Sequence, residues 1–434
     1  MKKFIIKIGI ISLVSMAVLM ACHDDEISGP SVKIETINSG VEVVTNSSVL
    51  ANRIELVNEP MNIVMSSSAP AKAPTDGQTV VNGHEWTYLA EVLPLQNYSV
   101  SYIVSIDNYV YVTYHIQGDV HGGILEVLDV SDPENPLSKS YISFNNIDIN
   151  HLTVDPESNK VWLAGSSFVN GAVVIEIEVV NGIIYNSYTE VILNDIFQAG
   201  IPASANSTCY VGDNKKDDGK FLYVTCGNTI GGLVKLNAET LAYVDHMEFS
   251  SAKSVVIDRK DKVYKVVTFA AANTSQIRVH DRATLDVTKS ITLSFSLSHQ
   301  NVVSSFSGKN AMAMYKDHMV YVPLGSYGVK AYDVDAESLE HESVTSMIVH
   351  GNSNGVDIQD HDKYVFMANG ADGLAVAHVP DNSGDPIIPV FTWDTEEMPA
   401  SANFVASYYD GGGKILVFLA KGLGGIKIIR VKEL

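Results

Sequence analysis

Seven positions spread along the chain could do the same chemistry: Asn97, Asn150, Asn206, Lys253, Asn310, Asn354 and Asn403, each just before a short apolar run. Six amides and one ammonium suit recognition better than bond breaking. A side-chain amide offers donors and an acceptor together, so a ring of them could hold water, a sugar hydroxyl or a peptide carbonyl. Lys253 would add one fixed charge. The same repetition also follows from asparagine's readiness to enter left-handed backbone at turns, or from duplicated sequence. Both explanations stand on the sequence alone. His151 and His299 lie near the same run starts, where a lone histidine is commonly a hydrogen-bonded surface residue. Asp213, Asp217 and Asp218 crowd one turn without the alternating oxygen-ligand spacing of a calcium loop. Asp357 is the carboxylate nearest the seven positions. No CxxC or HExxH spacing occurs, so no zinc site, no cofactor and no catalytic set is assigned. Gly122-Gly123, Gly231-Gly232 and Gly424-Gly425 precede strand-like runs rather than helices, which makes them hairpin turns and not phosphate loops.

The chain has three cysteines, and the first closes a leader. Lys2, Lys3 and Lys7 are followed by an apolar run from Ile8 to Met20, too short to span a bilayer and suited to a signal peptide. It ends Leu19-Met20-Ala21-Cys22, with a small residue before the cut and a thiol after it. Cys209 and Cys226 flank a turn and fall on neighbouring strands. In an oxidising compartment they could form a cross-strand disulfide, or they could be two buried thiols, since a one-residue slip of register puts them on opposite faces.

These residues need elements to position them. Residues 22–80 are rich in Ser, Asn, Pro and small side chains, and read as a flexible tether in which Val32 to Val44 alternates weakly. From residue 81 onward, short runs of Val, Ile, Tyr and Phe alternate with Gly, Asn and Asp clusters. One run recurs seven times, beginning at Tyr109, Val161, Phe221, Val263, Met319, Tyr364 and Ile415. Each has a strand before it and two after, which makes a four-stranded unit of about 50 residues. Seven such units predict an all-β chain, a seven-bladed β-propeller over residues 81–434. The last unit ends after three strands. His84 to Val92 is therefore expected to complete it, because an open edge in a closed ring is a liability.

Gly123-Ile124-Leu125-Glu126-Val127-Leu128-Asp129-Val130-Ser131-Asp132-Pro133 and Tyr364 to Val376 resemble the repeat of the LVIVD family of β-propellers, and Val320 to Val334 resembles it more loosely. Leu19 to Cys22 resembles the lipobox of bacterial lipoproteins, and His23-Asp24-Asp25-Glu26 resembles the surface-export signal of Bacteroidetes lipoproteins. The resemblance implies residues 1–21 removed, Cys22 diacylated, and a secreted or surface propeller on the outer membrane with no settled activity. It brings no catalytic residues. The formal net charge of −21 repels nucleic acid and anionic headgroups. The expected role is non-catalytic binding of a glycan, peptide or protein. A carbohydrate-active hydrolase or lyase, which would need paired carboxylates, and a structural docking scaffold are the alternatives.

Overall fold

The computed structural model describes residues 30–38, 41–65, 79–212, 219–227, 229–258, 265–270, 275–293, 310–316, 318–344, 352–361, 363–393 and 400–434. His299 and the Asp213, Asp217, Asp218 turn lie outside them, as do the leader and Cys22. The described residues form seven antiparallel sheets that follow one another along the chain. The innermost strands are Tyr98–Ile106, Ile147–Asp155, Ala205–Val211, Ala252–Asp258, Ala313–Tyr315, Gly355–Gln359 and Phe404–Tyr409, in blades 1 to 7. The recurrent aromatic-apolar runs are the second strands, for example Tyr109–Ile116 and Tyr364–Ala368. In the fourth blade the described strand is Lys265–Ala270, and residues 263–264 lie outside it.

Alternation decides where the core sits. The second strands are largely apolar on both faces because both faces meet a neighbouring blade. The buried apolar residues accordingly divide into seven clusters among the described residues. Each lies between two adjacent blades, as where Trp162 of blade 2 meets Leu222 and Val224 of blade 3. Polar side chains are confined mostly to the turns and to the inner and outer edges.

His84–Val92 lies in the last blade, antiparallel to Ile426–Glu433, with Ala90 opposite Ile428 and Trp86 opposite Val431. The N-terminal strand thus closes the ring as the strand count required. Its two faces serve two interfaces: Leu89 and Val92 pack between blades 7 and 1, and Trp86 packs between blades 6 and 7.

The expectation of a flexible tether over residues 22–80 is corrected for the described part. Lys33–Ile37 adds a fifth strand to the outer edge of blade 2. Val43–Val44 does the same for blade 1, Ile54–Pro60 for blade 7 and Val64–Met65 for blade 6. The segment is a belt running backward around four blades and covering edges that would otherwise be unpaired. Thr79–Val81 then forms a hairpin with the closing strand, turning through Asn82 and Gly83 at φ 52° and 79°. No helix among the described residues is long and apolar enough to cross a membrane.

Cys209 and Cys226 are not bridged to each other, which corrects the disulfide reading. They lie on adjacent strands, but Cys209 is opposite Tyr223 while Cys226 is opposite Ala205. Cys226 is three residues from Tyr223 on the same strand, roughly 10 Å along it and beyond the reach of a disulfide. They also face different cores, Cys226 toward blade 2 and Cys209 toward blade 4.

Candidate functional site at the central channel

Innermost strands have no strand partner on the channel side, so their backbone N–H and C=O groups need partners from elsewhere. The sequence supplies them through a repeated irregularity. In blades 1 to 4 the inner strand carries a bulge a few residues from its start, and the extra residue is Ser101, Asn150, Asn206 or Lys253. Asn354 and Asn403 hold the same place just before the inner strands of blades 6 and 7.

The amides at these places reach sideways to the next blade. Asn150 Nδ2 donates to Ala205 O at 2.9 Å and to Ser204 Oγ at 2.8 Å. Asn206 Nδ2 donates to Ala252 O at 2.6 Å and to Gly227 O at 3.1 Å. Asn354 Nδ2 donates to Ala402 O at 3.1 Å. In each case the acceptor is the carbonyl just before the matching residue of the next blade. Asn310 Nδ2 donates to Pro323 O within its own blade, while its backbone N–H bonds Asn354 O. Asn150, Asn206 and Asn354 therefore latch blade to blade through their side-chain amides. Asn206 Oδ1 and Asn403 Oδ1 are buried without a hydrogen-bond partner among the described residues.

Besides Asn310, the expected positions Asn97 and Lys253 also differ from the latching asparagines. Asn97 is exposed on the turn before blade 1, with φ 67°, so it answers to turn geometry alone. Ser101 holds the bulge position instead and bonds Thr113 Oγ1 at 2.9 Å. Lys253 is 2 % exposed, and burial pushes its ammonium down to about 8.

The residue after each bulge makes a second tier that sequence reasoning passed over, apart from His151. His151 Nδ1 accepts from Thr208 N–H, Ser207 Oγ from Val255 N–H and Ser254 Oγ from Met312 N–H. The histidine's proton therefore sits on Nε2, and burial holds its pKa down at about 3, so it stays neutral. Tyr102 stacks on the His151 ring at 3.8 Å and meets Phe404 edge-on at 5.2 Å, tying blades 7, 1 and 2 together. Burial, then nearby Asp357 and Cys209, raises the Tyr102 phenol.

A cavity of about 230 Å³ opens within the channel between the inner strands of blades 1, 5, 6 and 7. Tyr102, Met312, Met314, Asp357, Phe404 and Ser407 line it. Ser407 Oγ donates to Asp357 Oδ2 at 2.5 Å. Burial raises the Asp357 carboxyl, against the opposing effect of the Ser407 hydroxyl and backbone N–H groups. Asp357 is the only carboxylate among the described lining residues, so the paired carboxylates that glycoside hydrolysis uses are not assembled there. No group of three or more His, Cys, Asp and Glu that could hold a metal ion occurs among the described residues. The cavity can accept hydrogen bonds at one carboxylate and offers thioether and aromatic surface around it. No protein-family model matches the chain, and no curated protein matches it.

Proposed function

We propose that this chain is a lipid-anchored surface propeller of the LVIVD type, held to the outer membrane through Cys22, that binds a glycan or peptide group in its channel. The observation that carries the binding role is the channel cavity, with one carboxylate set among aromatic and thioether side chains. A carboxylate grouped with the Tyr102, Ser105 and Ser407 side chains beside apolar ones can orient a small polar group. The asparagine latches between blades hold inner strands at fixed spacing. The lipobox-like Leu19-Met20-Ala21-Cys22 sequence supports the anchor.

A screen of the full chain against glycans and peptides tests the binding role, repeated with Asp357→Asn and Phe404→Ala. The expected result is a ligand whose affinity falls about tenfold or more in Asp357→Asn, equivalent to about 1.4 kcal/mol. A ligand bound equally well by both variants would move the site away from the channel. No bound ligand at all would count against the binding role itself.

A further inference from the structure

The face of the disc where the inner strands begin also carries the loops between second and third strands. On that face, four large apolar side chains stand in water: Val120 is 66 % exposed, Phe168 71 %, Val169 80 % and Ile201 58 %. They belong to one loop of blade 1, one loop of blade 2 and the connection from blade 2 to blade 3. The loops touch one another. His121 meets the Phe168 ring at 5.8 Å, and Ser166 Oγ donates to Ala203 O at 2.8 Å. Gly171 lies so close to Ile201 and Pro202 that an added Cβ would stand 2.5 Å from Pro202 O. The opposite face differs. Its exposed apolar residues, such as Leu137, Ile183, Val287 and Leu339, are strung out near the outer strands of different blades. Scattered singly they need no explanation, whereas a contiguous patch does.

The path of the N-terminal segment singles out an occupant. Lys33 pairs with Ile192, at the end of blade 2's outer strand that leads into the loop bearing Ile201. Val32 packs against the cluster containing Leu193, Ile196 and Phe197. The first described residues, Pro30 to Lys33, therefore adjoin the part of blade 2 that leads to the apolar rim. Pro30 comes eight positions after Cys22 in the sequence, a span of at most about 29 Å even when fully extended. Lipid on Cys22 would hold this part of the disc within one membrane thickness of the headgroups.

We propose that Val120, Phe168, Val169 and Ile201 form a membrane-docking rim that enters the interface of the bilayer holding the lipidated Cys22. This rests on the lipid-anchor reading above. The partner is a zwitterionic surface, because Asp119 lies beside Val120 and the chain's charge of −21 repels anionic lipid. The rim covers only blades 1 and 2 and the start of blade 3, so the disc meets the bilayer at an angle and leaves the channel mouth beside blades 5 to 7 open to water.

The test uses the full lipidated chain reconstituted into phosphatidylcholine vesicles with brominated acyl chains, which quench tryptophan on contact. The native tryptophans Trp86, Trp162 and Trp393 are at most 6 % exposed and give a protected background. Phe168→Trp and Ile201→Trp place a reporter on the rim, and Ile183→Trp places one on the opposite face of blade 2. The expected result is quenching at 168 and 201 at least about twofold stronger than at 183. Three outcomes would overturn the rim: equal quenching at 168 and 183, no quenching in protein that floats with the vesicles, or a blue-shifted 168 signal without quenching, which would mark contact between copies. Failure of the wild type to float, or flotation unchanged by Cys22→Ala, would instead overturn the lipid anchor on which the rim depends.

Discussion

Asn206 donates to two backbone carbonyls, one in its own blade and one in the next, from a fully buried position. Replacing it with alanine leaves Ala252 O and Gly227 O without that donor, and an unsatisfied buried acceptor costs about 1–3 kcal/mol. Asn206→Ala is therefore expected to lower the unfolding free energy, measured by urea denaturation, by that amount. Asn97→Gly is expected to change stability by no more than about 0.5 kcal/mol, because Asn97 is exposed and already at positive φ, which glycine adopts without strain. Equal effects in the two variants would contradict the latch. The sequence showed which residue type repeats but not what it touches. An asparagine before a strand looks the same whether its amide turns a loop or crosses to a neighbouring blade. Alignment by run starts also misplaced one position, since the first blade uses Ser101 at a bulge, and no local pattern marks a bulge.

The belt shows a different limit at the scale of the element. Strands such as Val43–Val44 and Val64–Met65 are too short to carry a period, so the sequence could not reveal that they pair with outer edges. One trace was legible in principle: Glu126 sits among Ile124, Leu125, Val127 and Leu128, and a carboxylate inside an apolar strand requires a buried partner. That partner is Arg53 of the belt. Arg53 Nε and Nη2 bond the Glu126 carboxylate at 3.1 and 2.9 Å, and Tyr114 and Ser138 complete its acceptance at 2.6 and 2.8 Å. Arg53 Nη1 also donates to Leu93 O at 2.5 Å, at the end of the closing strand. Burial alone would lower the Arg53 pKa, and the neighbouring Glu126 charge outweighs it. Arg53→Met strands a buried carboxylate, at an expected cost of about 3–5 kcal/mol, and Glu126→Leu strands the guanidinium similarly. The double variant should lose much less than the sum, because no lone charge remains. Chemical denaturation of the three variants checks this, and strictly additive losses would show that the pair is not coupled.

The ring itself was the most legible feature, because a closed repeat leaves the same apolar pattern seven times and its closure follows from counting strands. The physical reason is that each blade buries its faces only against its neighbours, so the repeat must extend around the whole ring. That also sets how the molecule should fail. The seven interfaces depend on continuity, and two of them contain side chains of His84–Val92. Removing this strand opens the last sheet between Ile426–Glu433 and the belt, and it empties the places of Trp86, Leu89 and Val92 at once. A chain beginning at Thr79 and carrying Glu126→Leu keeps the closing strand and removes the charge that loss of Arg53 would strand. It should still unfold in one cooperative transition, at a lower midpoint, since only outer edges are bared. A chain beginning at Leu93 should lose the cooperative transition, because large side chains missing from two interfaces cost about 3–5 kcal/mol each, comparable to the stability of a typical domain. Circular dichroism followed through urea separates the two outcomes. A cooperative transition of unchanged midpoint in the Leu93 chain would mean that the ring does not depend on its N-terminal strand for closure.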